Sequence, residues 1–179
     1  MRIVPVLIFL IVFGGAVPAA AQDPAPAAPA ADPADVESID AIVAAVYESI
    51  SGPAGERDWP RFRTLFAPGA LLVPAAPRSD GSAPLRALGV EQYVQAAGAF
   101  FRENPFYEVE SGRTLERFGN VANAMSAYES RRAPEEEPFT RGINTITLVH
   151  DGQRWWLVSI AWDEHRPGNE IPADFGESG

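Results

Sequence analysis

Past Pro105 the chain reads as four extended segments in succession, at about 106 to 118, 121 to 132, 139 to 149 and 154 to 164. Only short turns separate them: "FGN", the acidic "APEEEP", and "HDGQ", whose Asp151-Gly152 pair is a strong hairpin signal. Strands joined this tightly must run antiparallel to their neighbours, because a parallel return needs a crossover of a dozen or more residues. The second half is therefore a long meander. One of its faces has to be covered by the rest of the chain, and the other is left available.

The cover is legible upstream. From Val36 to Ile50 the apolar positions Val36, Ile39, Ile42, Val43, Val46, Tyr47 and Ile50 recur at spacings of three and four, which is the stripe of an amphipathic helix. Gly52 and Pro53 stop it. A second, short helix is signalled by Asp58 as N-cap, Pro60 in the first turn and an apolar face of Trp59, Phe62, Leu65 and Phe66, and it ends at Pro68 and Gly69. "ALLVPAAP", 70 to 77, reads as a short strand, and 78 to 84 as a loop. A third helix runs from Val90 to about Arg102 with Tyr93, Val94, Ala97, Phe100 and Phe101 on one side. The fold class is α+β: three N-terminal helices packed on a curved antiparallel sheet.

The termini carry different signals. Residues 1 to 21 combine Arg2, an apolar run from Ile3 to Phe13 and small residues at Ala19 and Ala21, the pattern of a secretory signal peptide cleaved after Ala21. The run falls short of the roughly 20 residues a membrane span needs. Residues 22 to 35, "QDPAPAAPAADPAD", read as a disordered or semi-extended linker, 36 to 172 as one domain, and 173 to 179 as a disordered tail. The expected location is outside the cytoplasm, periplasmic or secreted. With no cysteine, the domain must hold together by its core alone. The net charge of -10, with arginine as the sole basic side chain beside histidine, would repel nucleic acid and an anionic membrane.

The element order, the "DWPRFRTLFA" run at 58 to 67 and the "DGQRWWLV" run at 151 to 158 resemble the nuclear transport factor two superfamily, which includes the SnoaL-like proteins and ketosteroid isomerase. The resemblance covers about 36 to 172. It implies a cone-shaped cavity enclosed by the curved sheet and the helices, and it implies a homodimer formed through the outer sheet face. It marks fold better than reaction, since this superfamily hosts enzymes and binders alike.

If Asn144 points inward, strand alternation places Gly142, Ile146 and Leu148 on its face, with Trp156, Val158, Ile160, Trp162 and Glu164 inward on the last strand. Trp155, Leu157, Ser159 and Ala161 would then face outward beside Ile143, Thr145, Thr147 and Val149, an outer face apolar enough to suit a second subunit. The resemblance to ketosteroid isomerase puts Tyr47 at the oxyanion-donor tyrosine and Asn144 at the neighbouring aspartate, so a donor pair could survive. The general base falls on Pro74, which moves no proton. The Arg-x-Asp pair of the limonene epoxide hydrolases is replaced by Arg141-Gly142-Ile143-Asn144, whose two polar ends sit on opposite faces.

The ligand-binding set read from the sequence is therefore Tyr47, Asn144, Trp156, Trp162 and Glu164, each weighed against a packing role in the core or at a strand end. No catalytic residue is assigned. His150 and His165 sit at a turn and past the last strand, so no metal site is expected, and no cofactor motif is present. Glu108, Glu110 and Glu129 alternate along the first two long strands. Solvent exposure is the default for them, and an inward carboxylate site is the alternative. Two functions follow, beside the alternative of a purely structural interaction domain whose cone is filled. One is an exported pocket binding a small hydrophobic molecule without established catalysis. The other is an isomerase, dehydratase or hydrolase whose base is supplied from Glu164, Glu129 or Asp80.

Overall fold

A computed structural model describes residues 30–78 and 80–176. The expected leader at 1 to 21, residues 22 to 29 of the expected linker and residues 177 to 179 lie outside the described residues. A short helix α1 (Pro33–Val36) already lies within the stretch read as linker, capped by Asp32. Helix α2 (Ile39–Ile50) starts where Ser38 Oγ accepts the Ala41 amide at 3.0 Å, and α3 (Trp59–Thr64) starts where Asp58 Oδ1 accepts the Arg61 amide at 3.0 Å. The strands are β1 (Phe66–Pro74), β2 (Leu88–Gly89), β3 (Tyr107–Phe118), β4 (Val121–Arg131), β5 (Thr140–His150) and β6 (Trp155–Glu164), with α4 (Val90–Glu103) between β2 and β3. The expected tail begins as a 3-10 turn over Ala173–Gly176, in which Phe175 is buried.

The six strands form one sheet in the order β2-β1-β6-β5-β4-β3. The meander β3 to β6 is antiparallel throughout, and β1 joins its end in parallel to β6, with Leu72 beside Ile160 and Pro74 beside Trp162. Helices α2, α3 and α4 cover the inner face. The core they close holds Ile42, Val43, Phe62 and Leu65 from the helical half and Ile146, Leu148 and Leu157 from the sheet, all fully buried. Phe62 meets Trp59 edge-on at 5.6 Å and stacks on Tyr93 of α4 at 5.5 Å, which ties α3 to α4. The C-terminal end of α2 is finished by Arg57, whose guanidinium donates to the carbonyls of Ile50, Gly52, Pro53 and Gly55.

Two irregularities decide which side chains reach the inside. In β5–β6 the register shifts between Thr147 and Leu148: Thr147 lies opposite Ser159, but Leu148 lies opposite Leu157, so Val158 is the extra residue of a β-bulge. Strict alternation along β6 therefore holds from Ile160 to Glu164 and fails before the bulge. Trp155 and Leu157 are buried on the inner side, whereas Trp156 and Val158 are not. In β3 a second shift between Glu110 and Gly112 leaves Ser111 unpaired, and it places Glu108 and Glu110 on the same face as Asn144.

Gly142 is required by close approach. A Cβ there would stand 2.3 Å from the Asp163 carbonyl and 2.5 Å from the Tyr128 hydroxyl, since the Tyr128 side chain of the facing strand lies across it.

Candidate functional site

Between the inner face and helices α2, α3 and α4 lies a cavity of about 280 Å³. That is near the small end of the roughly 300–1,000 Å³ typical of ligand pockets. Helix α2 contributes Val46, Tyr47 and Ile50, α3 contributes Phe62, and α4 contributes Tyr93 and Phe100. The sheet contributes Leu72, Glu108, Tyr128, Ser130, Asn144, Ile146, Ile160, Trp162 and Glu164. Phe106 and the half-exposed Phe139 stand with Phe100 at the mouth, their rings 6.2 to 6.5 Å apart in edge-on contacts through Phe106.

Tyr47, Asn144, Trp162 and Glu164 thus line one cavity. Trp156 does not. The bulge at Val158 turns it to the outer face, where its indole N–H donates to Asp151 at 2.7 Å and Arg154 stacks over its ring at 3.5 Å. Of the other carboxylates considered from the sequence, Glu129 pairs on the outer face with Arg131 and Arg141. Asp80 is exposed and bonded to Ser82.

Tyr47 and Asn144 meet, in an arrangement that fixes the direction of every hydrogen bond. Ser126, fully buried on β4, donates to Glu110 Oε1 at 2.5 Å, and Glu110 is in turn paired with Arg113 at 3.4 Å. A serine has one proton, so with that proton on Glu110 its oxygen can only accept from Tyr47, at 2.7 Å. The Tyr47 proton is then committed to Ser126, and its oxygen accepts the Asn144 amide N–H at 3.0 Å. The expected oxyanion pair is therefore spent within the protein, because Tyr47 has no proton left to offer a ligand. Burial pushes the Tyr47 hydroxyl far above its ordinary range, so it does not titrate at physiological pH.

Glu108 points into the cavity, against the solvent exposure expected of it from the sequence. It lines the cavity, with its carboxylate accepting from Ser130 at 2.8 Å and its backbone amide donating to Ser51 Oγ at 2.9 Å. Desolvation by the packed walls pushes it up to about 7, against smaller opposing contributions from the Ser130 hydroxyl and the Asn144 amide. Its effect reaches the neighbouring tyrosines. Burial raises the Tyr93 hydroxyl, with Glu108 adding to the shift, and burial raises Tyr128, with Glu108 and Glu164 both adding. Neither phenol has a hydrogen-bond partner among the described residues. The site therefore presents a carboxyl poised between charge states, two unspent tyrosine hydroxyls and a second carboxylate, Glu164, near the rim. No group of three metal-ligating side chains occurs among the described residues.

Sequence reasoning missed Ser126 and Ser130 and set Glu108 aside. Their signal is the run Ala122, Ala124, Ser126, Tyr128, Ser130 on the inner face of β4: two buried serines facing an apolar core demand polar partners, and Glu108 and Glu110 on the adjacent strand supply them.

No family model matches the chain, and no curated protein matches it. Solved structures do match. A protein of unknown function with a cystatin-like fold from Nostoc punctiforme aligns at a TM-score of 0.56 and 13% identity, over 71% of this chain and 88% of its own. An NTF2-like protein of unknown function from Pseudomonas putida aligns at 0.55 and 13% identity, over 84% and 96%. The fold is the NTF2-like cone. A function-unknown protein from Mycobacterium tuberculosis aligns at 0.55 and 16% identity, over 78% and 83%. At these identities the likeness to NTF2-like proteins is one of fold, and the chemistry has to come from the site itself.

Proposed function

We propose that this NTF2-like domain is a small-molecule pocket, and that Glu108 is the polar anchor of a mostly apolar ligand. The observation that carries the reading is the Glu108 carboxyl, held without a basic partner among the described residues and set between aromatic and aliphatic walls. A structural carboxylate at that depth is normally paired, and an unpaired one costs stability that a packed apolar residue would not. Thermal shift and native mass spectrometry of the purified domain against a panel of hydrophobic metabolites test it. The expected result is a stabilising ligand for the native domain and loss of that stabilisation in Glu108→Gln. A panel that stabilises neither protein, or both equally, overturns it.

A second reading is supported by one feature of the same residue. A carboxyl titrating at about 7 beside two unspent phenols matches what a general acid–base needs, so an isomerase or dehydratase working by proton transfer becomes a reading of Glu108 rather than of Pro74, Glu129 or Asp80. Solvent-deuterium incorporation into enolisable ketone probes, with Glu108→Gln as the control, separates turnover from binding.

Export remains our proposal from the leader-like first 21 residues. Homodimer formation through the outer sheet face is likewise a proposal, supported by the half-exposed Leu71, Val121 and Met125 on the uncovered side.

A further inference from the structure

The charge balance of the cavity narrows the class of ligand. Eight of the eighteen lining residues are aromatic, two are glutamates, and none is arginine or histidine. This is not for want of cations. The described residues place Arg61, Arg63, Arg113, Arg131, Arg141 and Arg166 in ion pairs elsewhere. Among the described residues the Glu108 carboxylate has only uncharged partners, the Ser130 hydroxyl and the Asn144 amide. The rings at the mouth already hold a cation: the Arg132 guanidinium lies 4.2 Å from the Phe139 ring centre and 5.6 Å from that of Phe100, anchored by a hydrogen bond to the Pro105 carbonyl. Aromatic faces carry negative potential and attract cations, most strongly where water is excluded. A partly buried carboxylate walled by apolar groups and without a counter-ion does the same.

We infer that the ligand of this cavity is an organic cation: a small aromatic or alkyl amine whose ammonium group lies against Glu108, with its apolar body between Tyr93, Phe106 and Trp162. The inference rests on the pocket reading above and goes beyond it by fixing the sign of the ligand's charge. An anionic ligand would meet two carboxylates and no positive side chain in the lining. A neutral one would leave Glu108 to be desolvated further without compensation. The ammonium ion supplies the missing counter-charge and offers donors to the Tyr93 and Tyr128 oxygens.

The test uses three probes of one skeleton, 4-phenylbutylamine, 4-phenylbutanol and 4-phenylbutanoate, titrated calorimetrically into the full-length protein at pH 8. A charge-assisted hydrogen bond in a water-poor site corresponds to about tenfold or more in affinity. The amine is expected to bind about tenfold or more tightly than the alcohol, and the butanoate more weakly than both. Glu108→Gln should bring the amine and the alcohol to within about threefold of each other. Binding of the alcohol as tightly as the amine overturns the cation inference and leaves the pocket reading standing. No binding of any probe overturns both. An amine preference that survives Glu108→Gln assigns it to the overall negative charge of the protein and overturns the inference as well.

Discussion

Two glutamates one step apart on neighbouring strands, and on opposite faces of the sheet, have contrary environments. Glu129 sits opposite Val109 on the outer face, its side chain 21% exposed, bridged to Arg131 and Arg141. Glu108, next to Val109 in sequence, turns inward to aromatic rings, one serine and one amide. The outer carboxylate is neutralised by two arginines of its own face, while the inner one has no cation. The chain has arginines enough to pair the exposed side of the sheet, so an unpaired acid on the enclosed side is a feature of the cavity rather than a shortage of partners. The outer pair of Glu129 with Arg141 ties neighbouring strands together, and the inner acid makes no such tie to a cation among the described residues.

That contrast can be broken first at the backbone beneath it. Gly142→Ala drives a Cβ to within 2.3 Å of the Asp163 carbonyl and 2.5 Å of Tyr128, so either the strand or the tyrosine must move. Overpacking of this severity costs about 3 kcal/mol, read as a lowered urea midpoint with unchanged slope, and it should distort the cavity that Tyr128 lines.

The next largest effect separates the two glutamates directly. With Glu108 raised from 4.5 to about 7 in the folded state, the unfolded chain gives up its proton between those values while the native one keeps it. Native stability therefore falls as pH rises from about 4.5 to 7, and the deficit is fully present above that window. Glu108→Gln should accordingly stabilise the protein at pH 8 by up to roughly 3 kcal/mol and leave it unchanged at pH 4. Glu129→Gln, which breaks partly solvated pairs, should cost under about 1 kcal/mol at pH 8. Opposite signs for the two substitutions at pH 8 are the expected outcome of denaturant titrations, and equal signs would erase the distinction.

A further substitution sharpens the division of labour inside the cavity. Tyr47→Phe removes the middle of the chain from Asn144 to Ser126 and should cost about 1 to 2 kcal/mol. Because the Tyr47 proton is already committed to Ser126, ligand affinity should stay within about threefold of the native value. A larger loss would mean that Tyr47 donates to the ligand after all.

Much of this architecture is legible in the sequence. The stripe from Val36 to Ile50, the Asp58 cap and the four extended segments with their short turns fixed the α+β order, because periodicity and turn chemistry are local. Asn144 and Tyr47 were readable as a meeting pair through the resemblance to ketosteroid isomerase. Trp156 was not readable. Alternation predicts its face only along an unbroken ladder, and the bulge at Val158 leaves no mark in a run as uniformly apolar as "WWLVSIAW". Glu108 was hidden for a related reason: whether a strand's carboxylates point in or out depends on register against a neighbour, which is a tertiary quantity. The parallel addition of β1 to β6 is likewise a long-range pairing with no local signature.

The anchor role and the cation preference both require the inner carboxyl to be starved of water and of counter-charge. Carbon-13 NMR titration of the Glu108 side-chain carboxyl in the full-length protein measures that directly. A midpoint near 7 is the predicted result. A midpoint at the ordinary glutamate value of about 4.5 would mean a hydrated, unremarkable side chain, and with it both the anchor and the preference for a positively charged guest would be gone.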